Sequence, residues 1–214
     1  MKSYQIHLIR HGLTEENRKG AYIGSSDIPL SKEGIEKLKE TDNTYVYPGT
    51  PILYSSPLLR CVQTCNILYP ALKPRVEPGL AECDFGQWEG KTGQELAMDM
   101  DFYNWLANSA DHAPPGGESG SEFTRRICLT FERIVNDLMR SGDTVAAIVT
   151  HGGVIMTLLS VYGLPQAQPY DWRMDNGFGY TLRVTPGLWM RDKVAEVCDR
   201  IPYARENEDE IRVR

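Results

Sequence analysis

The sequence predicts an α/β domain built on a mostly parallel sheet, and three observations carry that prediction. Short segments of strand length alternate with helix-length segments along the chain. Several of the short segments are apolar almost without interruption, as in strands covered on both faces. No internal repeat, low-complexity tract or Pro/Gly/Ser linker divides the 214 residues. They read as one domain over residues 1–204, followed by a charged tail at 205–214.

Gln5 to Ile9 is the first strand, and Ser31 caps a short helix through Glu40. Ile52 to Tyr54 is the second strand. Ser56-Pro57 follows as an N-cap with proline at the first helical position, and Leu58, Val62, Cys65 and Tyr69 make one apolar stripe. A third short strand falls near Arg75-Val76, and helices start at Thr92 and after Asp99. Thr92 with Glu95 and Ser119 with Glu122 have capping-box spacing. The second box opens the clearest helix. Phe123, Ile127, Phe131, Ile134 and Leu138 share one face, and Ser141-Gly142 stops it. Thr144 to Thr150 is a buried strand, and Val154 to Tyr162 a helix ended by Gly163 and Pro165. Tyr180 to Val184 alternates like a strand, and Pro186-Gly187 reads as a turn into an antiparallel partner from Leu188.

Composition narrows the function. With 23 basic against 29 acidic residues the net charge is −6, so the chain has no long-range pull on nucleic acid, and any anion must be held by local groups. The longest apolar run, Val145 to Val149, is far short of the roughly 20 residues that cross a membrane. Met1-Lys2-Ser3-Tyr4 shows no secretory core, which makes the cytoplasm the expected compartment. The five cysteines are scattered without a CxxC pair, so buried reduced thiols are expected, with no metal and no cofactor.

Chemistry gathers at strand ends. Arg10-His11-Gly12 follows the first strand, and His151-Gly152-Gly153 follows the strand ending at Thr150. Ligands bind beyond the carboxyl ends of strands in open α/β sheets, so neighbouring strands would bring both imidazoles into one crevice. The glycines allow sharp turns and close backbone approach. Arg60, one turn into the helix after Ser55-Ser56, adds a second guanidinium. Two arginines and two imidazoles at one rim suit a tetrahedral oxyanion.

At these residues the chain resembles the histidine phosphatase superfamily, in the branch that includes cofactor-dependent phosphoglycerate mutases. The resemblance runs through Leu8-Ile9-Arg10-His11-Gly12-Leu13-Thr14-Glu15-Glu16-Asn17, then Gly24 with Asp27-Ile28-Pro29-Leu30-Ser31 and Gly34. It continues through Ser55-Ser56-Pro57-Leu58-Leu59-Arg60 with Gln63-Thr64, then Leu80 with Glu82, then Thr150-His151-Gly152-Gly153. It implies a three-layer, phosphoglycerate mutase-like fold with helices on both faces of the sheet. It also implies roles. His11 is the nucleophile that forms a phosphohistidine, and Arg10, Arg60 and His151 hold the phosphoryl oxygens. Asn17 donates further, with the Gly24 and Gly152 backbones as substrate contacts. Glu82 protonates the leaving alkoxide and then helps water hydrolyse the intermediate. Glu82 must hold a proton beside arginines that favour its ionised form; either the incoming phosphate dianion or apolar neighbours such as Phe85 and Trp88 can reverse that balance.

Leu80-Ala81-Glu82-Cys83-Asp84-Phe85-Gly86-Gln87-Trp88-Glu89-Gly90, with Pro114-Pro115-Gly116-Gly117-Glu118-Ser119, resembles the α-ribazole phosphatases of cobalamin synthesis and their broad-specificity relatives. Mutases carry Tyr-Gly for Phe85-Gly86, a lysine where Gly93 stands, and an arginine pair that Met98 to Pro115 lacks. A metal-independent phosphomonoesterase acting on a small-molecule phosphate ester is therefore expected. A broad sugar-phosphate phosphatase, a phosphoglycerate mutase and a non-catalytic phospho-ligand binding protein are the alternatives. Ile23 stands where relatives often place a polar donor. Trp88, Tyr103, Trp105 and His112 are expected to shape the leaving-group pocket, with core and loop packing as an equal alternative. His7 is expected to pack within its strand, and Asp84 and Glu89 to be solvated loop charges. The oligomeric state is not legible.

Overall fold

Seven strands form the central sheet of the computed structural model, in which residues 2–205 are described. Apart from Arg205, the expected tail lies outside the described residues. In chain order the elements are β1 (Tyr4–Arg10), α1 (Glu15–Lys19), α2 (Lys32–Thr44), β2 (Tyr45–Val46), β3 (Leu53–Ser55), α3 (Leu59–Leu68) and β4 (Arg75–Val76). They continue as α4 (Met100–Ala107), α5 (Gly120–Ser141), β5 (Val145–Thr150), α6 (Gly152–Tyr162) and β6 (Gly163–Leu164). Last come β7 (Gly179–Val184), α7 (Pro186–Asp192), β8 (Ala195–Ile201) and β9 (Tyr203–Ala204).

The sheet order is β4-β3-β5-β1-β7-β8-β6, and β7 alone runs against the others. Alternation along each strand divides the core. Leu8, Ala146 and Ile148 face α5, α6 and α7, while Ile9, Ala147 and Val149 face α2 and α3. This is the expected three-layer arrangement. A smaller cluster of Trp88, Leu96 and Phe102, with Tyr22, Phe85 and Trp105 against it, forms outside the two main layers.

The structure departs from the sequence expectations at local details. Pro186-Gly187 opens α7 instead of a turn, because proline suits the first helical turn and Trp189, fully buried, packs on Phe131 and Tyr162. The antiparallel partner of β7 then starts at Ala195. Ser56 does not cap α3; the helix begins at Leu59 and the Ser56 hydroxyl is used elsewhere. Thr92 and Glu95 make their reciprocal bonds, yet only turns follow. The helix capped by Ser31 runs to Thr44, past Glu40, because Glu40 to Thr44 carry no breaker. Helix α1 went unread because its five residues include none that is buried; it rests on a Thr14–Asn17 capping box.

Phe131 is fully buried in the core and Leu129, on the same helix, is 62% exposed. Phe131→Ala is expected to cost about 3–5 kcal/mol of unfolding free energy in urea titrations. Leu129→Ala should stay within about 0.5 kcal/mol.

Candidate active site

Strands β1 and β5 are parallel neighbours, with Arg10 opposite Thr150 as the last pair. The chain leaves the sheet at the next residue of each, so His11 and His151 emerge side by side. Their rings lie edge to face with centroids 5.2 Å apart, and both are buried. The shared crevice that the sequence required of neighbouring strands is present.

The His11 Nδ1–H donates to the Gly12 carbonyl oxygen at 2.7 Å. A carbonyl only accepts, so the proton sits on Nδ1 and Nε2 keeps its lone pair. Burial, reinforced by the charges of Arg60 and Arg10, pushes the imidazole from its ordinary 6.5 down to about 3, against the pull of the Gly12 bond. His151 is also driven well below its ordinary value, first by burial and then by His11 and the arginines. Its Nε2 shares a 2.7 Å hydrogen bond with the Ser56 hydroxyl, which explains why Ser56 is not a helix cap.

Arg60 sits in the first turn of α3, 1% exposed, and donates to the carbonyls of Ser26 and Gly24, both at 2.7 Å. Arg10 donates to the Met174 carbonyl at 2.8 Å. The Nε–H of each guanidinium is buried without a partner. Unmet donors in a dry site are costly, and an anion would satisfy them. Glu82 is half-buried; its Oε2 accepts from the Gly153 amide at 2.9 Å and its Oε1 from the Cys83 amide at 3.1 Å. Burial still holds its carboxyl above the usual range, outweighing those bonds and both arginines. A side chain at Gly153 would collide with this carboxylate, so the glycine is what lets the amide reach it.

A cavity of about 520 Å³ opens here, lined by Arg10, His11, Asn17, Glu82 and Gly152 among others. Arg60 and His151 stand behind its wall, coupled to His11 by charge and ring contact. Gly24 is not on the wall. Its amide is taken by the Glu89 carboxylate and its carbonyl by Arg60, so it supports Arg60. Ile23 does line the cavity. Trp88, Tyr103, Trp105 and His112 do not; Trp88 and Trp105 pack in the small aromatic cluster, and Phe85 with them. Burial raises the carboxyl of Glu82.

Residues 6–196 match the family model of the histidine phosphatase superfamily (branch 1). The chain belongs to that superfamily. It is 31% identical over 180 residues to a Hydrogenobacter thermophilus protein named "Putative phosphoserine phosphatase 2", covering 80% of this chain and 85% of that one. It is 28% identical over 190 residues to the adenosylcobalamin/α-ribazole phosphatase of Salmonella typhimurium, covering 86% and 92%. The crystal structure of the α-ribazole phosphatase from Shigella flexneri superposes with a TM-score of 0.76 at 24% identity, over 95% of this chain and 100% of that one, and shows the shared fold.

In this histidine phosphatase several supporting groups escaped the sequence reading. The Asn176 side-chain amide donates to the carbonyls of His11 and Gly12, and the Thr64 hydroxyl accepts from the Gly12 amide. The Asn17 carbonyl is spent on the capping box, accepting from Thr14, so its amide group is the part free to donate. Glu89, expected to be solvated, accepts from the amides of Gly24, Ser25, Ser26 and Phe85. Asp84 accepts from Gly86 and Ser25. His7 is buried against the Thr181 hydroxyl, as expected of a packed strand residue. Cys61 and Cys65 are buried free thiols, whereas Cys83 and Cys128 are half-buried and Cys198 is exposed. Among the described residues no cluster of three or more His, Cys, Asp or Glu could hold a metal ion, and no helix is long and apolar enough to cross a membrane.

The buried histidines set an acid limit on stability. His7 is lowered to about 4 by burial, His11 to about 3, and His151 well below 6.5. Below pH 6.5 the unfolded chain takes up protons that the folded one refuses, so stability is whole above that pH and drains as pH falls. Glu82, shifted upward, acts in the opposite sense where the unfolded carboxyl ionises. The unfolding free energy is expected to fall between pH 6.5 and pH 4.5. In His11→Gln the decline should be shallower, by up to about 1.4 kcal/mol per pH unit. Urea titrations of both proteins across that range check it.

Proposed function

We propose that this chain hydrolyses phosphomonoesters of small organic alcohols, with His11 as the nucleophile. One observation carries the reading: a buried, neutral imidazole has one nitrogen tied to a carbonyl and the other free at a cavity that two guanidiniums serve. Nε2 of His11 attacks phosphorus in line, a P–N bond forms, and the P–O bond to the alcohol breaks. The protonated Glu82 gives its proton to the departing oxygen. Water then attacks the phosphohistidine, Glu82 takes the water proton, and inorganic phosphate leaves His11 neutral again. Arg10 and Asn17 donate to the phosphoryl oxygens from the cavity wall, Arg60 adds positive charge from behind it, and the neutral His151 backs the His11 ring, together doing the work a divalent metal does in other phosphatases. Gly152 lets Arg10 lie close; a Cβ there would sit 3.3 Å from its Nε.

The names of relatives support a phosphatase and supply two substrates to test, α-ribazole 5′-phosphate and phosphoserine. We place the enzyme in the cytoplasm, in keeping with five free cysteines. A small-molecule ester, and neither nucleic acid nor membrane, is its proposed partner.

His11→Ala should lower kcat for p-nitrophenyl phosphate by at least about 1,000-fold and abolish the acid-labile phosphoryl label seen after rapid quench. Turnover that survives this change would remove His11 from the role. Glu82→Gln should slow alkyl phosphates by about 100- to 10,000-fold while slowing p-nitrophenyl phosphate much less, because an activated phenolate leaves without a proton. Equal slowing of both would count against Glu82 as the acid. EDTA should leave the rate unchanged; loss of activity restored by Mg²⁺ would contradict the metal-free mechanism.

A further inference from the structure

We propose that Arg173 and Arg200 form a second anion subsite at the mouth of the cavity, selecting phosphomonoesters whose alcohol part carries a carboxylate or a further phosphate. The inference deepens the phosphatase reading and rests on it.

Both arginines line the same cavity as His11 and Glu82. Both are exposed, and among the described residues neither takes part in an ion pair. One buried tyrosine organises the pair. Tyr180 lies opposite Arg200 across β7 and β8, with the Arg200 guanidinium 5.8 Å from its ring centre, and its hydroxyl donates to the Arg173 carbonyl at 3.2 Å. The segment that carries Arg173 is tied to the reacting residues as well. The next carbonyl, of Met174, accepts from Arg10, and Asn176 holds the His11 carbonyl.

Distance and charge fit a leaving group. Strand β8 is two strands from β1, about 10 Å at ordinary strand spacing. A long arginine side chain projecting from it covers much of that gap, leaving room for an alcohol of a few bonds between the two ends. Arg10, Arg173 and Arg200 line the cavity, with Asp175 and Glu82 as its carboxyl groups. Phe178 and Ile201 line the cavity with these arginines. The segment between Met98 and Pro115 has no arginine or lysine to serve such a group; β8 and the segment before β7 provide it instead. An uncharged alcohol part, such as that of α-ribazole 5′-phosphate, gains nothing from this subsite.

The test compares matched esters. 3-Phosphoglycerate and glycerol 3-phosphate differ by a carboxylate, and fructose 1,6-bisphosphate and fructose 6-phosphate by a phosphate. The wild-type enzyme should show at least about a tenfold higher kcat/KM for the doubly anionic member of one pair. The pair that responds identifies the anion. In the double variant Arg173→Gln/Arg200→Gln the preference should shrink to within about twofold, and each single variant should reduce it severalfold, which keeps the test intact if the double variant does not fold. No preference in either pair, or a preference that survives the substitutions, would overturn the subsite. If p-nitrophenyl phosphate is turned over through a labelled His11 while no preference exists, the subsite alone fails. If no ester is hydrolysed and no label forms, the phosphatase reading fails and takes the subsite with it.

Discussion

The parallel pairing of β1 with β5 is the constraint on which the site depends. Six consecutive pairs, Gln5 with Val145 through Arg10 with Thr150, bring two strand ends to the same level. A slip of one residue would exchange the faces of Leu8 and Ile9, or of Ile148 and Val149, and bury the wrong set. The two-sided core therefore fixes the register, and the register fixes the imidazoles. Packing specificity in the sheet becomes positional accuracy at the rim.

Burial at that rim then acts in opposite directions on two kinds of acid. Imidazole escapes the cost of charge by giving up a proton, so His11 is neutral, with a free lone pair at one nitrogen. A carboxyl escapes the same cost by keeping its proton, so Glu82 is raised. One physical cause, loss of water, thus leaves a lone pair on His11 and favours the protonated form of Glu82 within one cavity. Held backbone keeps the arrangement in place. Arg126 donates to the carbonyls of Gly79, Ala81 and Glu82 and pairs with Glu118, whose carboxylate in turn accepts from the Asp84 amide. The loop carrying Glu82 is thereby clamped to α5.

What was legible in the sequence was local or periodic. Phe123 to Leu138 repeat on one face of α5, and the helix carries its own capping box and glycine stop. Arg10-His11-Gly12 and His151-Gly152-Gly153 each announce a strand end. Contacts between distant residues left no such trace. Glu89 looks like a loop charge until Gly24 to Ser26 fold against it, 63 to 65 positions away. Arg173 and Arg200 share a cavity with His11 only because β7 returns beside β1. Trp88 and Trp105 could line a pocket or fill a core on composition alone. The aromatic cluster decides for the core because Phe102 and Tyr22 give them rings to pack on.

The carboxylate of Glu89 has a consequence for how such enzymes diversify. It ties the peptide that grips Arg60 to the strip that carries Glu82, so two stretches far apart in the chain behave as one mechanical part. At Gly24 any larger residue would overlap the Cys83 carbonyl. Exchanging the strip without its partner at 24–26 would free three amides and loosen the guanidinium they indirectly support. Strip and partner must therefore be changed together if the guanidinium is to stay held.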